Sequence, residues 1–322
     1  MTERYSMKFI RTGLHGLFLF LVSMEIVADT GANPSDPKLL FEKMRDAQNS
    51  TYYSGSIVYE RGDQLASYQV NSEETGQAVT QVLQSLSGPS KTLKVPNSLS
   101  CVEPVFYAAE ALSDWYNFSY EGPTRVAGRV AHEIVLHPVD PYRLGHSYVV
   151  DQETGLMLKY TVTLPDKRVL EQMQFIDIAL DTIDELQPAS ISVTGDSDQQ
   201  IEVSAIGEIG QEPLSQQAEP DCEDIASDTP WRLGWAPEGF QQIKSSYDNQ
   251  RSNFLYGDGL SMFSLFIEPI EELKVPAGNT RQGAITLVIN YFSVGGNSFM
   301  ATFVGELPLA AAEQILRNLR VR

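Results

Sequence analysis

Alternating apolar and polar positions between Thr124 and Asp177 predict the most regular part of the fold. Four runs in this stretch change side-chain character at nearly every residue, the period of a half-buried strand: Ala131–Leu136, His146–Asp151, Leu156–Leu164 and Val169–Ile178. Turn-forming residues separate the runs, including the segment from Asp151 to Gly155 and Pro165-Asp166-Lys167. The pattern therefore predicts an antiparallel meander with an apolar face, which the chain's own helices, a lipid or a partner must cover.

Upstream of this meander, the pattern predicts a helix and two further strands. Asp36-Pro37 suits a helix start, because Asp can cap the first turn and Pro fits the first helical position. Tyr52–Arg61 and Ala66–Val70 have the aromatic and β-branched content of strands, and a second helix is expected within Glu103–Leu112. We place this N-terminal unit at residues 35–186.

A second patterned unit is predicted at residues 231–322. Its strand signals are Gln241–Tyr247, Leu260–Ile267, Ala284–Phe292 and Ser298–Val304. A helix is expected after Pro308, with its apolar stripe extending to Leu319 and with Arg317, Arg320 and Arg322 at its C-terminal end, where cations suit the helix dipole.

The stretch between the two units, residues 187–230, is acidic and contains neither Lys nor Arg. Its Gly, Ser, Gln and Pro content predicts a linker that charge repulsion extends. An alternative for part of it is an extra hairpin formed by Ile191–Val193 and Ile201–Val203.

The N-terminus predicts export. Arg4, Lys8 and Arg11 precede the apolar run Leu14–Met24, which is of signal-peptide length and short for a membrane span. We assign residues 1–28 as a signal peptide, with cleavage after Ala28 or Ala32; an uncleaved anchor is the alternative, and either way the body of the protein is exported.

Charge and reactive residues exclude several functions. The chain of 322 residues has a net charge of −19, which argues against nucleic acid as a partner, because nucleic-acid affinity depends on Lys and Arg at phosphates. Cys101 and Cys222 have no metal-binding spacing and either pair or remain separate. His132 and His137 are five residues apart on a strand, so they point to opposite faces. No catalytic or phosphate-binding motif is present, and we predict a protein that is not an enzyme and has no cofactor or metal.

Several segments carry a resemblance to a known family. RVAGR, DPYRLGHSYVVDQETGLMLK and RVLEQMQF in the meander, and WRLGWAPEGF, RQGAITLV and VGELPLAAAEQI in the second unit, resemble the MucB/RseB proteins, periplasmic negative regulators of the envelope-stress sigma factor. The resemblance implies an α+β fold: an N-terminal antiparallel half-barrel with covering helices, as in LolA and LolB, and a smaller C-terminal antiparallel sheet with a terminal helix.

The same resemblance implies the partners. A MucB/RseB protein is expected to bind the periplasmic region of a single-span anti-sigma factor, protect it from proteolysis, and release it when lipid, lipopolysaccharide or lipoprotein acyl chains bind. Self-association into a homo-oligomer is also possible. Two alternatives are a periplasmic carrier of lipoprotein or lipid, although such carriers stop after one half-barrel, and an envelope scaffold.

Candidate binding residues follow from aromatic content and from isolated positive charge. Tyr53 and Trp115 belong to an aromatic set that lines either a concave apolar surface or an ordinary core. Arg143 either holds a phosphate or carboxylate of a ligand or braces a carboxylate of its own loop. The second unit contributes aromatic residues for which core packing is the alternative: Trp231, Trp235, Phe240, Tyr256 and Phe263.

Overall fold

A computed structural model describes residues 35–75, 78–96, 108–180, 201–202, 229–270 and 275–322. The predicted signal peptide, Cys101, Cys222, the Ile191–Val193 strand and nearly all of the predicted linker lie outside the described residues. None of the described helices is both long and apolar enough to cross a bilayer.

The N-terminal half contains two helices and ten strands among the described residues. They are α1 (Pro37–Ser50), β1 (Tyr53–Arg61), β2 (Gln64–Thr75), β3 (Ala78–Ser85), β4 (Thr92–Pro96), α2 (Ala109–Leu112), β5 (Tyr116–Val126), β6 (Arg129–Pro138), β7 (Gly145–Asp151), β8 (Met157–Thr163), β9 (Val169–Leu180) and β10 (Ile201–Glu202).

All ten strands belong to one sheet, in the order β10-β4-β3-β2-β1-β9-β8-β7-β6-β5. Every pairing is antiparallel except that of β10 with β4, which adds two residues of the predicted linker to the sheet edge. The predicted meander is β6 to β9. At the turn between β7 and β8, the Asp151 carboxylate accepts from the Thr154 backbone N–H at 2.8 Å, and Gly155 has a φ of +84°.

The sheet curls strongly around α1. This helix contacts β3 as well as β5, β6 and β7, although β3 and β5 are seven strand spacings apart in the sheet order. At about 4.8 Å per spacing, a flat sheet would separate β3 from β5 by roughly 34 Å, more than a helix diameter of about 10 Å can bridge. Buried Val70 of β2 and Val126 of β5 also share one apolar cluster. The predicted half-barrel follows from this curvature.

Helix α1 covers the inner face of the half-barrel. The Asp36 carboxylate accepts from the backbone N–H of Lys38 at 2.9 Å and caps the first turn, as predicted. Its buried stripe of Leu40, Phe41, Met44 and Ala47 faces the sheet, and Leu40, Phe41 and Met44 share an apolar cluster with Leu112 of α2. Where α1 and α2 pack, the inner face is therefore covered by the protein's own side chains.

The C-terminal half contains one helix and eight strands among the described residues. They are β11 (Trp231–Leu233), β12 (Gln241–Asp248), β13 (Arg251–Gly257), β14 (Met262–Pro269), β15 (Gly278–Gln282), β16 (Ile285–Val294), β17 (Asn297–Gly305), α3 (Leu309–Arg317) and β18 (Leu319–Val321). Six strands form an antiparallel sheet in the order β12-β13-β14-β17-β16-β15, and α3 packs on β16 and β17. The predicted α+β class, with a separate C-terminal sheet and a late helix, is confirmed.

The end of the chain differs from the prediction. Helix α3 ends at Arg317, and Leu319–Val321 form β18, which pairs antiparallel with β11. The Asn318 backbone N–H still bonds the Gln314 and Ile315 carbonyls, after which the backbone groups of β18 find partners in β11. Arg320 and Arg322 therefore do not lie on the last turn of a helix. The apolar pattern up to Leu319 does not predict this change, because a single apolar residue at that position fits either a helix or a strand.

Candidate functional site

The two sheets meet within one compact unit, and Arg143 lies at their junction. It follows Tyr142 in the loop between β6 and β7, and its side chain is fully buried. Its Nε donates to Asp258 Oδ2 at 2.9 Å, while its two terminal nitrogens donate to Asp140 and to the Glu238 backbone carbonyl. Arg143 thus braces a carboxylate of its own loop, one of the two predicted readings, and also binds two groups of the C-terminal half.

The turn that carries Asp258 is shaped by the same carboxylate. Oδ1 of Asp258 accepts from the backbone N–H groups of Leu260 at 3.0 Å and Ser261 at 2.8 Å, and Gly259 has a φ of +94°. Its Oδ2 accepts from Arg143 and, at 3.2 Å, from the hydroxyl of Tyr116. Burial, and then the charge of Asp258, raise the pKa of Tyr116, so its hydroxyl remains a donor. Asp258 therefore connects a local turn to the N-terminal half.

Aromatic rings enclose the Arg143 guanidinium. Its carbon lies 5.1 Å from the ring centroid of Trp115 and 5.3 Å from that of Phe240. Gly239 permits this approach: a Cβ at that position would lie 2.4 Å from Cε2 of Trp115. Because water is excluded, breaking this ion pair from one side would leave a buried charge without compensation.

A second polar centre lies around Glu171 of β9. Its Oε2 accepts from the Ala284 backbone N–H and from the Tyr59 hydroxyl, both at 3.1 Å, and lies 3.5 Å from Nε of Arg61. Gly283, with a φ of +59°, brings the β15–β16 turn against this group. Each centre thus joins a carboxylate of one half to groups of the other.

Glu306, just after β17, adds a carboxylate to this environment. Burial first, and then the negative charges of Glu171 and Asp258, raise its pKa to about 7. With Asp140, the junction holds four carboxylates against Arg143 and Arg61. Burial and the excess of negative charge around Glu306 both favour its protonated form.

His146 of β7 lies beside the first centre in an aromatic stack. Its ring is parallel to those of Tyr148 and Tyr160, and its Nδ1 lies 3.2 Å from the Tyr160 hydroxyl. Nε2 is buried without a hydrogen-bond partner, and burial lowers the pKa of His146 to about 4. A neutral, packed imidazole agrees with a packing role and not with a base or ligand.

The structure gathers some of the predicted site residues and separates others. Arg143, Trp115 and Phe240 meet at the junction, and Trp235 packs edge-on against Tyr142 at 5.1 Å. Tyr256 and Phe263 are stacked 5.1 Å apart behind Phe240, inside the C-terminal core.

Two predicted residues lie away from the junction. Tyr53 packs on Phe175 in the core of the half-barrel, and its hydroxyl bonds the Gln81 amide. Trp231 is buried against Phe292 and Phe299 of the C-terminal sheet. Both residues therefore lie in apolar cores, the alternative considered for the aromatic residues.

Sequence reasoning missed Asp258, Glu171, Glu306 and Tyr116 as junction residues. The turn Gly257-Asp258-Gly259 is visible in the sequence, but nothing there distinguishes its carboxylate among 42 acidic residues. Within the described ranges, no cluster of three or more His, Cys, Asp or Glu is arranged to hold a metal ion. His132 and His137 instead bond neighbouring strand residues, Tyr120 and Ser119.

Comparison with known proteins agrees with the sequence resemblance. The family model of the MucB/RseB N-terminal domain matches residues 36–109 and 103–196, and that of the MucB/RseB C-terminal domain matches residues 226–320. The Sigma factor AlgU regulatory protein MucB of Pseudomonas aeruginosa is 26% identical over 329 residues, covering 94% of this chain and 96% of that protein.

Two further similarities point the same way. The Sigma-E factor regulatory protein RseB of Haemophilus influenzae is 29% identical over 217 residues, covering 66% of this chain and 62% of that protein. A solved Pseudomonas aeruginosa MucA/MucB complex contains a chain that aligns with a TM-score of 0.67 and 25% identity, covering 89% of this chain and 99% of that one.

Proposed function

The chain belongs to the MucB/RseB family, and from this premise we propose that it is a periplasmic regulator that binds the periplasmic region of a membrane-embedded anti-sigma factor. Bound in this way, it protects the anti-sigma factor from proteolysis and so keeps the envelope-stress sigma factor repressed. The observation that carries this proposal is the similarity over nearly the whole chain to MucB, a sigma factor regulatory protein that has been solved together with MucA.

Release by a lipid, lipopolysaccharide or lipoprotein signal is the second part of the proposal. Such a signal must bind more tightly to the form of the protein that has low affinity for the anti-sigma factor, because equal affinity for both forms would shift nothing. The junction supports this part as the coupling element, since Arg143 and Asp258 connect the half-barrel to the C-terminal sheet through a buried ion pair. Acyl chains would enter the half-barrel by displacing α1 or α2 from its apolar face.

The alternative function is that of a periplasmic carrier of lipoprotein or lipid. A curled sheet covered by short helices favours it. The six-stranded C-terminal sheet argues against it, because a carrier of one acyl group has no need of a second folded half that is joined to the first by buried charges.

A binding experiment separates these functions. The chain lacking residues 1–28 is titrated with the periplasmic segment of the anti-sigma factor from the same organism, and the heat of binding is measured at equilibrium. We expect saturable binding with one partner per chain, and slower cleavage of that segment by the site-one protease. Absence of binding would leave the carrier function as the better account.

A second titration tests release. Lipopolysaccharide fragments added to the preformed complex are expected to weaken the affinity for the anti-sigma segment, and the segment is expected to weaken binding of the fragments by the same factor. If the affinity stays constant at saturating fragment, the release part of the proposal is wrong while the binding part stands.

A further inference from the structure

An exposed group of arginines lies at the end of the C-terminal half. We call Arg232, Arg317, Arg320 and Arg322 the arginine ribbon, because three of them lie on or beside the two-stranded sheet of β11 and β18. Arg232 stands directly opposite Arg320 in the antiparallel register. Arg322 is held next to them by its backbone N–H, which donates to the Pro230 carbonyl at 2.8 Å.

The stability of the fold does not account for this arrangement. Like charges that face each other across two strands are destabilising. Among the described residues, only Arg317 of the ribbon forms an ion pair, with Glu313 at 3.4 Å on the exposed surface of α3. Arg320 does satisfy the end of α3, since its guanidinium donates to the Arg317 and Leu319 carbonyls at 2.9 Å. Arg232 and Arg322 have no comparable structural role in the described part of the chain.

The geometry of the ribbon suits an extended acidic chain. Arg320 in β18 and Arg322 just after it are two residues apart, the spacing of side chains that share a face of an extended chain, and Arg232 is opposite Arg320 in the register. That spacing is about 6.6 Å, the same as between alternate residues of any extended polypeptide. Carboxylates at every second position of such a polypeptide would have the same period as Arg320 and Arg322. A guanidinium group can bind a carboxylate with two parallel hydrogen bonds, and Arg232 and Arg322 are the members of the ribbon not engaged at the end of α3.

We propose that the arginine ribbon is a docking surface for an extended acidic polypeptide from a partner protein, with carboxylates at alternate positions. The whole-chain charge favours a peptide over a membrane. An anionic bilayer is flat and wide, so the negative charge of this molecule, −19 in total, would repel it. A narrow peptide would interact mainly with the ribbon, because charges farther away than the screening length of about 8 Å are largely screened. This inference goes beyond the proposed function, because none of the ribbon arginines belongs to the junction and the docking requires no lipid signal.

The test uses a fluorescein-labelled peptide of six Glu-Thr repeats and the chain lacking residues 1–28, with binding followed by fluorescence anisotropy. The variant Arg232→Gln/Arg322→Gln removes two ribbon charges and keeps the hydrogen bonds of Arg320 at the end of α3. The matched control, Arg168→Gln/Arg251→Gln, removes two exposed arginines elsewhere, with side chains 70% and 68% exposed.

We expect the ribbon variant to bind the peptide about tenfold more weakly, the control to bind within about twofold of the unaltered chain, and affinity to fall with salt. A peptide of equal charge with its six glutamates in one block should bind less tightly than the alternating one. Equal weakening by both variants would overturn the proposal, as would binding to phosphatidylglycerol vesicles in place of the peptide.

Acidic residues of the same chain are the remaining alternative to a partner's polypeptide as the group that binds the arginine ribbon. If the unaltered chain fails to bind the peptide but gains binding when Asp221, Glu223, Asp224 and Asp228 are changed to amides, the ribbon serves the chain itself, and the proposal of a separate partner is overturned.

Discussion

Arg143 and Asp258 lie 115 residues apart in the sequence, and their side chains form an ion pair of 2.9 Å that is fully shielded from solvent. One partner belongs to the half-barrel and the other to a turn of the C-terminal sheet. The pair is therefore a connection between the two halves and not a local brace. Its energetic importance can be measured directly, because each partner can be removed alone or together with the other.

We expect Arg143→Met to lower the free energy of unfolding by about 3–5 kcal/mol, because the Asp258 side chain would remain buried without its charged partner. Asp258→Leu should have a similar effect through the unpaired guanidinium. The double variant should lose much less than the sum of the two single losses, since neither charge then remains. Urea unfolding followed by circular dichroism measures all three.

The exposed pair of Arg168 and Asp166, 3.5 Å apart, supplies the control. Arg168→Met is expected to change stability by less than about 0.5–1 kcal/mol, because solvent screens that pair. A loss in Arg143→Met no greater than in Arg168→Met would contradict the role assigned to the buried pair.

Gly239 supports a second prediction, which concerns close approach. Gly239 and Gly296 have nearly the same φ, +87° and +85°, but a Cβ on Gly239 would overlap the Trp115 ring whereas one on Gly296 would meet nothing within 4 Å. Substitution by Ala imposes a similar left-handed backbone cost at both positions, about 1–2 kcal/mol. Gly239→Ala should therefore be less stable than Gly296→Ala by a further 1–3 kcal/mol from overpacking. Thermal unfolding of the two variants measures the difference, and equal stabilities would show that the junction adapts freely.

Much of the fold could be predicted because its signals are local. The alternation from Ala131 to Ile178 corresponds to β6 to β9, and the Asp36 cap begins α1 where expected. The turn at Asp151 and Gly155 has the predicted chemistry. In each case residues a few positions apart determine the outcome, so the sequence pattern is sufficient.

The junction could not be predicted because its partners are distant in the sequence. The sequence indicates that Arg143 binds either a ligand or a carboxylate of its own loop. Its contact with Asp258 depends on how the two sheets meet, and Arg143 binds both Asp140 and Asp258. The aromatic residues show the same limit. Phe240 and Trp231 have the same character in the sequence and both belong to the C-terminal core, yet Phe240 also lies under Arg143.

His146 supports a prediction on the acid side of the pH range. Its pKa is lowered from 6.5 to about 4 by burial, so the unfolded chain takes up a proton below pH 6.5 while the folded chain does not until about pH 4. This residue therefore makes stability fall as pH drops from 6.5 to 4. His146→Phe should remove that part of the slope, and it also removes a buried Nε2 that lacks a partner. Urea unfolding at pH 4.5 and 6.5 tests this, with His137→Phe on an exposed strand position as the control.

Glu306 is expected to act in the opposite direction. Its folded pKa of about 7 lies above the ordinary 4.5, so the folded chain holds a proton that the unfolded chain has released. Stability from this group is complete below pH 4.5 and is lost as pH rises through about 7.

Glu306→Gln keeps a neutral side chain at every pH and should therefore be more stable than the unaltered chain at pH 8, by about 1–3 kcal/mol, and nearly equal to it at pH 4.5. The exposed Glu60→Gln is the control variant. Because repulsion from Glu171 and Asp258 contributes to the raised pKa, Asp258→Asn should shift the midpoint of the Glu306 loss toward lower pH. The unfolding free energies of the three variants are measured at pH 4.5, 6 and 8. If the difference in unfolding free energy between Glu306→Gln and the unaltered chain does not vary with pH, the titrating group lies elsewhere in the junction.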